Sequence, residues 1–149
     1  MRYFIDTEFN GFGGALLSIA LVPEHGEEFY AVIEPTVPIE PWVETHVMPF
    51  LHHVPFALQT PAVSREEAAH AMASYLFAGP RPLIVADWPE DVAQFCNLLL
   101  IGSGLMVPVP ELEFQLLPLP GFSPSVNSAV PHNALHDARA LRDHVLSLE

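Results

Sequence analysis

Apolar and polar residues alternate along the first part of the chain in the way that half-buried β-strands require. The segment RYFIDTEF covers Arg2–Phe9, and its side chains would point alternately to the two faces of a strand. Two further strand-like segments follow at Ala15–Val22 and Glu28–Glu34, and Asn10–Gly14 has the composition of a turn. The short connections between these segments predict an antiparallel meander.

The rest of the chain alternates between helical and extended patterns. Ser64–Phe77 begins with the residue types of a capping box and predicts a helix, and Pro89–Ile101 begins with the proline that favours a helix start. Arg81–Ala86 is a short apolar strand between them, and Asn133–Leu148 is the last predicted helix. This order predicts an α/β fold whose mixed sheet combines three antiparallel N-terminal strands with parallel strands and is flanked by helices.

Two proline-rich stretches interrupt this pattern. Pro35–Pro61 is predicted to be irregular, with one helical turn near Trp42–Leu51. In the second stretch, Leu105–Pro120, the segment Leu105–Val109 is predicted to be an edge strand, because proline is tolerated at sheet edges.

Composition places the chain among globular proteins. Its 149 residues predict a single domain, 1–149, and 50% of them are hydrophobic while 15% are charged. No apolar run reaches the roughly 18 residues of a membrane span, and no basic-then-apolar leader precedes the first strand. One cysteine, Cys96, excludes an internal disulfide framework and a cysteine-based zinc site. We therefore expect a cytoplasmic protein without a membrane partner.

The charge balance is strongly acidic. Eighteen acidic residues stand against five arginines and no lysine, for a formal charge of −13. Such a surface repels polyanions at long range and, taken alone, argues against a long nucleic-acid track.

Asp6 and Glu8 break the apolar pattern of the first strand. They share one strand face with Phe4, at a backbone separation of roughly 7 Å. Two like charges so close repel each other unless something holds them, and a divalent cation is the usual answer. The structural alternative is the solvated face of an edge strand.

Two more carboxylates lie where the apolar strand Arg81–Ala86 passes into a helix. Asp87 closes the strand and Asp91 lies in the first helical turn. The structural alternatives are a cap or turn residue for Asp87, and for Asp91 a helix-dipole contact worth about 0.3–1 kcal/mol. Their position favours function, because sites on α/β sheets gather at the carboxyl ends of strands.

The last helix carries a carboxylate beside its buried face. Asp137 falls roughly 60° from the centre of the apolar stripe and therefore needs a partner. His132 precedes the helix, and Pro131 and Asn133 around it predict a lead-in loop from which it can turn toward a site. The alternative is an exposed loop histidine. The stripe itself consists of Ala134, Ala138, Leu141, Val145 and Leu148.

The remaining histidines give weaker signals. His132 and His136 have the spacing of a zinc-protease motif, but Asn133 stands where that motif needs glutamate, so we exclude this chemistry. His46, His52 and His53 form either a second metal cluster or, in the interpretation we favour, ordinary loop residues.

Together these pieces resemble the DEDDh family of 3′–5′ exonucleases, which have the RNase H-like fold. The D-x-E motif of that family corresponds to Asp6-Thr7-Glu8, and its second motif, an aspartate that opens a helix, corresponds to Asp91. Its third motif, H-x-A-x-x-D, corresponds to His132–Asp137. Many members have asparagine where this chain has Asp87, so Asp87 and Asp91 both stay candidates for the second motif.

A narrower resemblance links the chain to small bacterial exoribonucleases of the RNase AS type. These begin with a similar R-Y-F-x-D-T-E-F stretch and carry a segment like Trp42–Val47. The resemblance implies hydrolysis of RNA from its 3′ end to nucleoside 5′-monophosphates, a homodimer, and two Mg²⁺ or Mn²⁺ ions per site. His132 would act as general base. The implied metal ligands are Asp6, Glu8, Asp91 and Asp137.

The turn after the first strand is the expected substrate pocket. Asn10 and Gly11 would lie at its floor, where glycine lets the backbone approach the sugar. Phe12 would stack on the terminal base, whereas Phe9 alternates onto the opposite face and has a core role as its alternative. The acidic surface predicts a short footprint at the RNA 3′ end. A DNA exonuclease, and a catalytically silent metal-binding module on the same fold, are the other functions that we keep open.

Overall fold

A five-stranded mixed sheet forms the centre of the molecule, and two short strands form a separate hairpin. The computed structural model describes residues 1–149. The strands of the main sheet are β1 (Arg2–Phe9), β2 (Leu16–Pro23), β3 (Phe29–Val32), β4 (Leu83–Ala86) and β7 (Glu113–Leu116), and those of the hairpin are β5 (Leu100–Gly102) and β6 (Leu105–Met106). The helices are α1 (Pro41–His46), α2 (Arg65–Ala78), α3 (Pro89–Leu98), α4 (Pro124–Asn127) and α5 (Ala134–Ser147), and 3₁₀ turns lie at Met48–Phe50 and Phe56–Leu58.

The strand order in the sheet is β3-β2-β1-β4-β7. The β1–β2 and β2–β3 pairs are antiparallel, whereas β1–β4 and β4–β7 are parallel. The predicted α/β fold with a mixed sheet is confirmed, and the architecture is consistent with an RNase H-like fold. Because β1 is the central strand of this order, the edge-strand alternative for this segment is wrong.

Helices cover both faces of the sheet because the side chains of β1 alternate between two core layers. Tyr3 and Ile5 pack on one face against α2 and α3, in the same cluster as Phe95. Phe4 points the other way and packs against Leu141 of α5. From Tyr3 to Ile5, both faces of β1 therefore carry apolar side chains, and the carboxylates follow directly after.

The two long helices at either side of the sheet begin at residues that satisfy free backbone N–H groups. Ser64 forms a full capping box with Glu67 at the start of α2, as predicted. Asn133 caps α5, where its Oδ1 accepts from the backbone N–H groups of Leu135 and His136, and its Nδ2 donates to the Phe50 carbonyl at 2.8 Å. Asn133 thus connects the start of α5 to the proline-rich segment.

The structure corrects two predicted boundaries. Helix α3 ends at Leu98 rather than Ile101, because the chain reverses at Gly104 and β5 pairs with β6 as a separate hairpin. Only Leu105–Met106 of the predicted edge strand is extended, and it lies outside the main sheet. The edge strand next to β4 is β7, a segment without proline, whereas Pro108 and Pro110 cannot donate to a ladder.

The proline-rich segment 35–61 contains the helical turn that its sequence predicted, as α1 followed by the 3₁₀ turn at Met48–Phe50. Helix α4 was not predicted; it has only four residues and little periodicity to reveal it. None of the helices combines the length and apolarity that crossing a membrane would take.

Candidate metal centre

A crevice opens in the sheet where β1 and β4 separate. The two strands pair only along Arg2–Phe4 of β1, and beyond this point the backbone edge of β1 has no strand partner on that side. Asp91, from the first turn of α3, takes the place of a strand. Its Oδ1 accepts from the Thr7 backbone N–H at 3.0 Å and from the Thr7 hydroxyl at 2.6 Å. Crevices of this kind, at the carboxyl ends of strands, are where α/β sheets place their ligands.

The crevice contains a cavity of about 350 Å³. The structure brings to this one cavity all five residues that the motifs predicted, although they come from β1, α3 and both sides of the start of α5. The predicted site residues that line it are Asp6, Glu8, Asp91, His132 and Asp137, with Asp87 beside them.

Three of the carboxylates converge closely enough to share a cation. Asp6, Glu8 and Asp137 each offer an oxygen atom, and these atoms lie within 4.8 Å of one another. Asp137 Oδ1 is buried and has no hydrogen-bond partner in the protein, which is costly for a carboxylate unless a ligand satisfies it. A set of hard oxygen donors with one unsatisfied member fits Mg²⁺ or Mn²⁺. The residues present could therefore hold a divalent cation.

Burial and mutual repulsion make these carboxylates reluctant to ionise. Burial, together with the nearby charges of Asp137 and Asp91, raises the pKa of Glu8 to about 8. Burial likewise raises the pKa of Asp137 to about 6, and that of Asp6 well above its usual range. A cation among them would favour the charged forms and reverse this tendency.

Asp91 differs from the other three in its surroundings. It is 3% exposed, and burial raises its pKa to about 7, although the hydrogen bond from the Thr7 hydroxyl opposes the rise. Thr7 occupies one carboxylate oxygen, which explains why Asp91 stands apart from the three converging groups. Asp87 also lines the cavity, and burial raises its pKa as well. A surface helix-dipole contact does not describe a carboxylate as buried as Asp91.

His132 lies in the loop before α5, as predicted, in an unusual conformation. Its φ of 64° makes it the one non-glycine residue of the chain in the left-handed region. This conformation turns its backbone N–H toward Asp137, whose Oδ2 accepts at 3.1 Å. The half-buried imidazole lines the cavity, and burial and the nearby His46 lower its pKa.

The predicted substrate-binding residues in and before the turn after β1 have two kinds of surroundings. Asn10 is buried, and its side chain bonds to the segment that follows β3: its Nδ2 donates to the Pro38 carbonyl and its Oδ1 accepts from the Glu40 N–H. Phe9, Gly11 and Phe12 line a second cavity of about 360 Å³, and Phe12 is fully exposed. Phe9 also lines the first cavity, so the two cavities adjoin, and substrate binding by this turn stays a prediction.

The histidines of the proline-rich segment do not form a metal site. Asp6, Glu8 and Asp137 are the one group of three or more potential ligands that converge in the structure. His46 instead stacks on Trp42, and the ring of His53 packs against Phe50. Among the described residues they therefore hold no metal site; His52 and His53 lie in a loop, as predicted, whereas His46 ends helix α1.

Several residues of the site escaped the sequence reasoning, among them Thr7, Trp88 and Ser123 at the first cavity and Trp42 at the second. Thr7 sits inside the D-x-E motif, where the alternation of side chains assigned it to the core, and no local signal reveals its bonds to Asp91, which is distant in the chain. Trp42 was noted only as part of a resembling segment, although a lone tryptophan in a proline-rich loop was a usable signal.

Comparison with known proteins gives a partial match. No family model matches the chain. A 55-residue segment is 49% identical to two proteins named 3′-5′ exoribonuclease, from Mycobacterium tuberculosis strains CDC 1551 / Oshkosh and ATCC 25618 / H37Rv. The match covers 34% of this chain and 33% of the length of each relative. A third of the chain is therefore similar to proteins with that name.

The raised pKa values generate a prediction about stability without metal. In the unfolded chain these carboxyl groups titrate near pH 4, whereas in the folded protein Asp137 and Glu8 titrate at about 6 and about 8. The fold thus holds protons that the unfolded chain releases, and in chelator the melting temperature should fall between about pH 5.5 and pH 8. Mg²⁺ or Mn²⁺ should raise it again at the higher pH.

Thermal unfolding of two matched variants isolates this effect from the titration of other groups. Asp137→Asn should shrink both the pH dependence and the metal-induced rise. Asp143→Asn, which changes an exposed aspartate of the same helix, should leave both as they are. Equal behaviour of the two variants would contradict the metal centre.

Proposed function

We propose that this protein is a metal-dependent 3′–5′ exoribonuclease of the DEDDh type, which releases nucleoside 5′-monophosphates from RNA 3′ ends. One observation carries the proposal: the convergence of Asp6, Glu8 and Asp137 within 4.8 Å on a cavity that His132 and Asp91 also line. The partial similarity to proteins named 3′-5′ exoribonuclease supports the same activity.

The proposed site holds two Mg²⁺ or Mn²⁺ ions. Asp6, Glu8 and Asp137, whose oxygen atoms converge, and Asp91, which lines the same cavity, would hold these ions. When bound, such ions lower the pKa of water and stabilise charge on the scissile phosphate. The protein's part is to keep its carboxylates fixed and ionised around them, and the hydrogen bonds from Thr7 and His132 to two of these groups do so.

His132 is the proposed general base. Its imidazole faces the cavity from the rim beside Asp137, where it can accept a proton from the attacking water at one ring nitrogen. Burial lowers its pKa, so the ring is neutral and able to accept a proton at neutral pH. The left-handed backbone conformation of His132 costs free energy, and proteins keep such conformations mainly where a functional side chain has to be oriented.

The distribution of positive charge supports a short substrate footprint. Every arginine of the chain is occupied by neighbouring groups: four form ion pairs with carboxylates, and Arg65 donates to the backbone carbonyls of Asn97 and Leu100. None of the five lines the cavity. With a formal charge of −13 and no basic track, the protein would hold only the last nucleotides of the RNA, through the metal ions and stacking on Phe12.

The activity is tested by incubating the protein with end-labelled RNA and DNA oligomers in Mg²⁺, Mn²⁺ or chelator. We expect a ladder from the 3′ end of RNA that requires metal and is lost in Asp6→Asn, with Asp143→Asn as the matched control. A DNA ladder of equal rate would favour the DNA exonuclease, and metal binding without cleavage would favour a silent binding module.

The role of His132 is tested separately by kinetics and calorimetry. His132→Ala should reduce kcat by about 10²–10⁴-fold, the usual scale for a lost general base, and keep Mn²⁺ binding in calorimetry.

The second-motif aspartate is tested by comparing two neighbouring substitutions. Asp91→Asn should be nearly inactive, because Asp91 is buried and fixed to β1 through Thr7. Asp87→Asn should retain measurable activity, because its side chain makes no hydrogen bond to the strand that carries Asp6 and Glu8. The steady-state rates of the two purified variants on one RNA oligomer decide the matter, and the reverse ranking would move the second motif to Asp87.

A further inference from the structure

The proline-rich segment 35–61 forms one wall of the site and places a tryptophan against the His132 ring. Trp42 lies in the first turn of α1, and its ring meets the imidazole of His132 edge to face, with the centroids 5.3 Å apart and the planes at 87°. The indole is 55% exposed, so core packing alone does not account for its position.

No hydrogen bond fixes the orientation of the His132 ring. Its backbone N–H donates to Asp137, but neither ring nitrogen makes a hydrogen bond within the protein. Histidines that exchange protons usually have one ring nitrogen fixed by a carboxylate or a carbonyl group. Here the ring instead makes an aromatic contact with Trp42.

Trp42 is itself held from behind. Its ring stacks on His46 with the centroids 4.5 Å apart and the planes at 18°, and His46 Nδ1 lies 2.8 Å from the Trp42 carbonyl oxygen. The indole thus contacts the imidazole of His46 on its face and that of His132 in an edge-to-face arrangement. These two contacts restrict rotation of the Trp42 side chain and define the geometry of its contact with His132.

The segment that carries Trp42 is tied to the site at both ends. Before α1, the Glu40 N–H donates to Asn10 Oδ1, at the end of the strand that carries Asp6 and Glu8. After α1, the Phe50 carbonyl accepts from Asn133 Nδ2, next to His132. These two hydrogen bonds connect the segment that carries Trp42 to the end of β1 and to the start of α5, the two elements that supply the converging carboxylates.

We infer that Trp42, supported by His46, is a positioning residue that sets the orientation of the His132 imidazole toward the cavity. This inference rests on the proposed function, in which His132 is the general base. Trp42 also lines the 360 Å³ cavity beside Phe12, and stacking on a substrate base is the competing role that the test must separate.

Steady-state kinetics on a short RNA separate positioning from base stacking. Trp42→Leu should lower kcat by about 10- to 100-fold, the scale expected when a catalytic group is misplaced by about 1 Å, and should change KM by less than about threefold. Trp42→Phe, which keeps an aromatic ring, should recover most of the loss. His46→Ala should cause a smaller loss of kcat. Phe77→Leu, which removes an exposed aromatic ring from α2, is the matched control and should leave both constants unchanged.

An activity-independent measurement keeps this inference distinct from the proposed function. The C2–H proton of His132 is identified by the loss of its resonance in His132→Ala, and its NOEs to protons other than those of Trp42 report the orientation of the ring. These NOEs should change in Trp42→Leu and stay the same in Phe77→Leu. If the wild-type protein cleaves no RNA, the proposed function fails, while the NOEs still decide whether Trp42 fixes the ring. A higher KM with kcat intact would assign Trp42 to base stacking, and an unchanged set of NOEs would show that Trp42 does not orient His132; either result overturns the inference.

Discussion

Repulsion among buried carboxylates is the constraint on which the rest of this structure depends. Asp6, Glu8 and Asp137 bring oxygen atoms within 4.8 Å of one another at the carboxyl end of the central strand, and burial raises the pKa of each. Such a cluster weakens the fold at neutral pH unless protons or cations neutralise it. A fold that keeps it has to gain something from the concentrated negative charge, and binding of divalent cations is the gain that the donor chemistry fits.

The surrounding fold is arranged to tolerate this cluster. Tyr3, Phe4 and Ile5 anchor the first half of β1 in the core on both faces of the sheet. Its second half extends into the crevice beyond the pairing with β4. Asp91 closes the free edge of β1 through Thr7. The N-cap of α5 holds Asp137 and His132 in place and connects them to the segment that carries Trp42. The carboxylate cluster and the segment that carries Trp42 are therefore connected through Asn133.

Most of the fold and the central residues of the site were predictable from local patterns. Alternation in β1, the capping box of α2 and the apolar stripe of α5 are strong local signals, and the off-pattern positions of Asp6, Glu8 and Asp137 pointed to the cluster. The features that the sequence did not predict depend on contacts between residues that are far apart in the chain. The edge position of β7 is set by pairing with β4, and the contacts of Thr7 with Asp91 and of Trp42 with His132 join residues that are far apart in the chain. No local pattern encodes such contacts.

Crystals soaked in Mn²⁺ test the central claim most directly, because anomalous scattering at the manganese edge locates the ions without reference to activity. We expect one anomalous peak among the carboxylates of Asp6, Glu8 and Asp137 and a second between Asp6 and Asp91, both lost in crystals of Asp6→Asn. Peaks confined to other acidic surfaces, or an empty crevice at saturating Mn²⁺, would contradict the account.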